Sequence, residues 1–505
     1  MNDSPNDAAR QDASSLEDSI KRGTTAVVAA QIASQIVSFA ALAYLYRRLG
    51  PEPFGLIGMA MPALLLTRML AGFGWQESVI QATTLEAETR DRVFWMSQLS
   101  GLVAGALMVG CGPLLAWLFQ SPRLIAVCAA LAVTLPLTTL AAVHQGWWQR
   151  QLAIAALMKV RLLAQAVAAV VACVLAWRGV GVWALVGQQV AELGLLAAII
   201  WWASDWRPRW RGRLWDSESF RFGGWYTGAS FGFYWTQNVD KLVLAWLLGS
   251  SPIGRAAIGM YHQAYNLALK PVSLVTSPAS GIVLPALARL QDHPARFAQL
   301  VRTVWWLLAA LLVPAAAGIA LVAPDVMRLL GGTRWFSAGA VLVALSPLVF
   351  AQGLINICGS VFASRGEARA LCWGAVAQAV VLSLTGAMVA ATAMNNQWTP
   401  QQSIRAMALA VGATTTLLVL SPYLIYCARV AHVALKPLAA PLLHIAAATV
   451  LMGIMVRAAR GLFTPEVDSF QRLVWSVAVG GSTYVFAMRH ALVRAWNAWR
   501  SDGEI

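Results

Sequence analysis

The stretch "WLLGSSPIGRAAIGMYHQAYNL" (246–267) decides how this chain is organised, because an earlier stretch, "RRLGPEPFGLIGMAMPALLL" (47–66), follows the same plan. Each reads Leu-Gly, a turn containing proline, an apolar residue with glycine, then Ile-Gly-Met opening a helix. The copies stand about 200 residues apart with a two-residue insertion, and six apolar spans fill one period. An even number of spans per period leaves both copies in the same orientation, as in a parallel repeat about an axis along the membrane normal. The expected architecture is therefore two six-helix bundles, with any further spans appended.

Composition supports a membrane setting. The chain has 505 residues, 59% hydrophobic and 12% charged, against roughly 25% charged in ordinary soluble domains. Apolar runs of the length that helical membrane spans require recur from end to end. Residues 1–19 are polar and read as a disordered tail without the basic start and short apolar core of a cleaved signal peptide, so the first span is expected to remain as an anchor.

Hydrophobic runs read against turn signals give fourteen spans, at 24–46, 54–73, 93–118, 123–146, 155–177, 181–203, 220–248, 256–287, 299–323, 338–363, 368–393, 404–428, 434–457 and 471–490. The fold class is an all-α polytopic membrane protein. Its expected parts are a tail at 1–19, a six-helix lobe at 20–203, a basic linker at 204–219, a second six-helix lobe at 220–429, two added helices at 430–490 and a tail at 491–505. Pro271, Pro278 and Pro285 predict a broken or kinked eighth span. With both termini cytoplasmic, about 23 Lys and Arg fall on the inner side and about 11 on the outer, which favours that orientation. The most basic connection, "DWRPRWRGRLWDSESFR" (205–221), alternates Arg with Trp, as a segment lying on an anionic leaflet would. That position also accounts for the net charge of +15 without nucleic acid.

Catalytic signatures are absent from the sequence. Six histidines are scattered without HExxH spacing, no Asp-x-Asp occurs, and there is no Walker-type phosphate loop. "GASFG" (228–232) matches a hydrolase nucleophile pattern, but it lies inside a span with no strand before it, so close helix packing explains its glycines better. Cys111, Cys128, Cys173, Cys358, Cys372 and Cys427 lie in or beside apolar runs without CxxC spacing, and read as small buried apolar residues. No metal or organic cofactor is expected.

Charges inside spans are few, and such groups mark helix braces or transport paths. The acids are Glu192 in span six and Asp240 in span seven; the bases are Arg68, Lys241 and Lys270 in spans two, seven and eight. Lys270 lies about 18 Å in from the outer end of its span at 1.5 Å per residue, at mid-membrane depth. Asp240 and Lys241 are adjacent, and adjacent helical residues do not face each other. Asp240 is therefore expected to pair with Lys270, leaving Lys241 to face a cavity. Glu192 is either protonated, hydrogen-bonded to Gln188 or Gln189, or a site for a coupling Na⁺ or H⁺. An excess of interior cations suggests that an anion passes. An inside-negative potential favours anion export by about 2.3 kcal/mol per charge per 100 mV.

"LYRRLGPEPFGLIGMA" (45–60), "GFGWQESVIQ" (72–81), "GVGVWALVGQQV" (179–190), "FRFGGW" (220–225), "NVDKLVLAWLLG" (238–249), "GMYHQAYNLALKP" (259–271) and "VLPALARLQ" (283–291) follow one another in an order that resembles the polysaccharide transporter, or Wzx-type, family. That family belongs to the multidrug/oligosaccharidyl-lipid/polysaccharide superfamily. The resemblance covers about residues 20–370, and the last four spans by topology. It implies a flippase that carries undecaprenyl-diphosphate-linked oligosaccharide across a bacterial inner membrane, supplying O-antigen, capsule or exopolysaccharide synthesis. Two lobes would rock around a cationic cavity, with polysaccharide polymerase and chain-length enzymes as further partners. The family's Asn-x-Asp falls on Asn238 and Asp240, and the Lys241 that follows replaces a residue often apolar in relatives. Related lipid II flippases serve the diphosphate with Arg in spans one, two and seven; span one here has Gln31 and Gln35 instead, and Arg68 is a partial substitute.

Two other readings compete. A cation-coupled antiporter of the same superfamily would need acids in the N-terminal lobe, where only Glu192 is available. A membrane glycan polymerase or ligase would need a large outer loop carrying Arg or His, and the longest here are about 14 residues.

Overall fold

The computed structural model describes residues 33–82, 86–151, 153–210, 217–434, 436–462 and 468–502. The expected tail at 1–19, Gln31 and positions 211–216 of the basic connection lie outside the described residues.

The described chain is helical throughout. In order the helices are α1 (33–49), α2 (Pro51–Gly72), α3 (Trp75–Gln81), α4 (Ala87–Leu118), α5 (Arg123–Ala132), α6 (Thr134–Arg150), α7 (Ile154–Trp177), α8 (Val182–Ala203) and α9 (Ser217–Leu248). There follow α10 (Pro252–Arg289), α11 (Pro294–Gly331), α12 (Phe336–Ser364), α13 (Ala368–Asn395), α14 (Pro400–Thr414), α15 (Leu420–Val430), α16 (Lys436–Gly461) and α17 (Ser469–Asp502). Among the described residues, nine helical segments are long and apolar enough to cross a membrane. Lipid contact is written on their surfaces: Leu99, Leu102, Val103, Leu107, Leu114 and Trp117 of α4 are all exposed. An apolar stripe of that length is a solvent match for hydrocarbon, not for water. This is an all-α polytopic membrane protein.

Local chemistry explains the helix ends. Helices α2, α10, α11 and α14 open with proline, whose missing N–H falls where no intrahelical partner exists. Ser251 caps α10 by accepting from Gly254 N at 3.0 Å, and Thr399 with Gln402 forms a capping box on α14. Arg150 donates to the Val79, Ile80 and Ala82 carbonyls, closing the end of α3.

The interruptions fall elsewhere than expected. Helix α10 is unbroken across Pro271, Pro278 and Pro285, although each removes one intrahelical hydrogen bond. The fourth expected span is instead two helices, parted at Val133, where Pro136 cannot donate to the Ala132 carbonyl. A π turn at Thr415–Val419, just ahead of Pro422, interrupts the twelfth. Helix α17 continues to Asp502, through most of the expected C-terminal tail.

The chain forms two compact units, 1–49 with 60–234, and 50–59 with 235–505, so the division falls inside α2 and α9. In the first unit, α6, α7 and α8 pack through Ala141, Leu157, Ala197 and Ile200, and a second cluster gathers Trp75, Val79, Val93, Phe94, Met96 and Val143. In the second unit, α16 and α17 dock on α11: Tyr484 donates to the Ala310 carbonyl at 2.7 Å, and Arg460 pairs with Asp325.

The two repeated stretches meet inside this second unit. A side chain on Gly55 would collide with the Arg255 backbone, and one on Gly259 with the Pro51 carbonyl. Glycine lets the two helix starts cross backbone against backbone. Arg255 then reaches Glu52 at 2.9 Å and the carbonyls of Gly249 and Ser250 at 3.4 and 3.3 Å.

Candidate substrate-path residues

Within the second unit, the charges of α9 form a closed brace with α10. Lys241 Nζ lies 3.2 Å from Asp240 Oδ1, donates to the Gln237 carbonyl, and sits 3.5 Å above the Tyr265 ring. The Tyr261 hydroxyl donates to Asp240 Oδ2 at 2.5 Å. Asp240 and Lys241 are 4% and 6% exposed, so both charges are sequestered from solvent. A pair this deep is sustained only when its remaining donors and acceptors are also met, as they are here by a hydroxyl, a carbonyl and a ring face.

This corrects the expected pairing of Asp240 with Lys270. Adjacent helical positions point about 100° apart, but a four-carbon lysine stem is long enough to bring its ammonium back to the neighbouring carboxylate. Lys270 is exposed on α10. Asn238 is buried on α9.

The first unit holds the other charges. Arg68 on α2 and Glu192 on α8 are both half-buried and act on each other electrostatically. Glu192 therefore feels an opposite charge, beside the readings as a protonated acid, a partner of Gln188 or Gln189, or an ion site. Gln35 on α1 is half-buried, and its Oε1 has no hydrogen-bond partner among the described residues. Nearby in sequence, Ser34 donates to Gln165 Oε1 and Gln165 donates to Ser38, each at 2.5 Å. Arg161 donates to Gln145 Oε1 at 2.5 Å. Gln165, Arg161, Tyr261 and Tyr265 escaped the sequence reading; the signal for the first was a glutamine in the apolar run "LLAQAVAAVV". No group of three His, Cys, Asp or Glu able to hold a metal ion occurs among the described residues.

Polysaccharide biosynthesis proteins match this chain as a family over residues 44–340. It belongs to that family. That membership agrees with the Wzx-type resemblance within the multidrug/oligosaccharidyl-lipid/polysaccharide superfamily. Among curated relatives, the succinoglycan biosynthesis transport protein ExoT of Rhizobium meliloti (strain 1021) is 24% identical over 359 residues, 70% of each chain. The amylovoran biosynthesis protein AmsL of Erwinia amylovora is 21% identical, over 60% of this chain and 78% of its own. Among solved structures, an inward-closed lipid II flippase MurJ has a TM-score of 0.70 at 12% identity, covering 92% of this chain and 99% of that one. An inward-facing multidrug resistance transporter of the MATE family has a TM-score of 0.60 at 13% identity, over 79% and 95%. Those two likenesses place this Wzx-type chain in their fold.

Proposed function

We propose that this transporter flips a lipid-diphosphate-linked oligosaccharide, with undecaprenyl diphosphate as the carrier, from the inner to the outer leaflet of a bacterial inner membrane. The family match over 44–340 carries the reading, because Arg68, Glu192, Asn238, Asp240, Lys241 and Lys270 all lie within it. Relatives named for succinoglycan and amylovoran synthesis support a glycan cargo. Charge supports a diphosphate: the Asp240–Lys241 pair neutralises itself, which leaves Arg68 and Lys270 against Glu192. Cations in excess attract a headgroup that carries phosphates, while its isoprenoid tail remains in lipid.

In this reading the fourteen spans form two six-helix lobes, 20–203 and 220–429, related by a parallel pseudo-two-fold axis. The linker at 204–219 and both tails face the cytoplasm, the helices of 430–490 are additions to the second lobe, and the lobes rock around the cargo. Arg68, Lys270 and Gln35, with Gln31, contact it. Glu192, balanced against Arg68, is the position for a coupling Na⁺ or H⁺. The Asp240–Lys241 brace holds α9 to α10 while the lobes move, and Asn238 sits on the same helix. Polymerase and chain-length enzymes receive the product on the far side.

The test is deletion of the gene in its native host. Lipid-linked repeat units accumulate without polymer if the reading holds, and plasmid-borne wild type restores the polymer. Normal polymer in the deletion strain, with no accumulated lipid-linked glycan, overturns it.

A further inference from the structure

A cavity of about 690 Å³ opens within the first unit, where the start of α4, the end of α6 and the chain leaving α8 converge. Arg90, Arg207, Arg209, Trp147, Trp148 and Gln151 are among the residues that line it. Within the connection expected to lie on an anionic leaflet, Trp206 turns inward. Trp206 donates from Nε1 to Asp91 Oδ1 at 3.0 Å and packs its ring against His144, with centroids 4.7 Å apart.

Arg90 is held in an unusual way. Its guanidinium carbon lies 4.4 Å from the Trp147 ring centroid and 4.5 Å from that of Trp206, so two aromatic rings hold the group. Its Nε is buried and has no hydrogen-bond partner among the described residues. A guanidinium held against rings keeps its in-plane N–H donors for an oxyanion, and the Arg90 Nε is such a donor. Arg207 Nη1 is committed to the Ser204 and Trp206 carbonyls, which ties its charge to the cavity wall, and Arg209 is exposed at the rim.

The opposing acids do not cancel this arrangement. Asp91, 2% exposed, holds Trp206 and also acts electrostatically on Arg90, and Asp205 is exposed at the rim, so the three lining arginines outnumber the two acids. A sugar-binding reading is weaker, because Arg90 occupies a face of Trp147 and of Trp206 that a pyranose would need. Trp202 and Trp210, 84% and 59% exposed, are the chain neighbours of the lining residues Ala203 and Arg209, and exposed tryptophans suit the boundary between lipid and water.

We infer that this cavity binds the phosphate ester of an anionic headgroup, with Arg90 and Arg209 supplying the charge and the tryptophans holding Arg90 in place. The chemistry is shared by an anionic phospholipid and a soluble phosphate ester. Neither is the transported cargo, and the site would stand if the cargo were different.

The experiment uses the purified full-length chain in detergent, with bound adducts counted by native mass spectrometry. Three probes are titrated separately: dioctanoyl phosphatidylglycerol, dioctanoyl phosphatidylcholine and glycerol 1-phosphate. Phosphatidylglycerol is expected to bind in preference to phosphatidylcholine. Arg209→Gln should weaken it roughly fivefold, and Arg90→Gln with Arg209→Gln about 25-fold, at about one surface arginine's worth of attraction each. Arg209 is exposed, so its single variant keeps the test valid if the Arg90 variant misfolds, and Arg405→Gln on α14 should change nothing. Comparable binding of glycerol 1-phosphate assigns the site to soluble esters; binding of the lipid alone assigns it to the membrane. Equal binding of both lipids without glycerol 1-phosphate binding, or probe binding that Arg209→Gln and the double variant leave unaltered, overturns the inference.

Discussion

Asp240 and Lys241 stand on one helix, yet they bind each other, Tyr261 and Tyr265 rather than a distant partner. Removing one member strands the other as a buried unpaired charge, which costs about 3–5 kcal/mol in measured cases. Asp240→Asn should therefore lower the stability of the detergent-purified protein by that order in chemical unfolding. Asp240→Asn with Lys241→Met should recover most of the loss, because no charge is left buried. Tyr261→Phe should cost less, about 1.5–3 kcal/mol, for one hydrogen bond to a charged group. If the double variant is as unstable as Asp240→Asn, the brace is not an ion pair in energetic terms. The sequence marked these two residues out, since charges in an apolar run are conspicuous. It could not reveal their pairing, because a lysine rotamer depends on Tyr265, and nothing local links position 241 to 265.

At the scale of the element, the crossing of α2 and α10 depends on Gly55 and Gly259, where an added Cβ meets backbone that cannot yield. Gly259→Leu should abolish monodisperse elution of the purified protein. Gly110→Ala, inside α4 with open space around it, should be neutral or stabilise by up to about 1 kcal/mol through helix propensity. Equal behaviour of the two variants in size-exclusion chromatography would contradict the close crossing. Each of the fourteen expected spans overlaps a helix or a helix pair, because hydrophobic runs bounded by Pro and Gly are read without tertiary information. The helix breaks were not legible. Pro136 parts α5 from α6, whereas Pro271 and Pro278 leave α10 continuous, and neighbouring helices settle which outcome a proline has. The inward turn of Trp206 was equally hidden, since its partners Asp91 and His144 are distant in sequence.

For the whole molecule, the proposed path for an anion rests on Arg68 and Lys270. In a strain lacking its own copy, Lys270→Ala at matched expression should fail to restore polymer, whereas Arg405→Gln should restore it fully. Glu192→Gln should leave Arg68 unbalanced and lower polymer output without abolishing it if Glu192 only compensates charge, and abolish it if Glu192 carries the coupling ion. The polymer yield of the three variants, read on one gel, separates these roles. Full rescue by Lys270→Ala would remove that lysine from the transport path.

Flipping itself is tested most directly in proteoliposomes. Purified protein is reconstituted with an undecaprenyl-diphosphate-linked repeat unit, and a membrane-impermeant glycosidase is added outside. The protein should expose the inner-leaflet half of the glycan to the enzyme, at a rate that falls with Lys270→Ala, while empty vesicles keep that half protected. Protection equal to that of empty vesicles, with the reconstituted protein helical and monodisperse, would contradict the account.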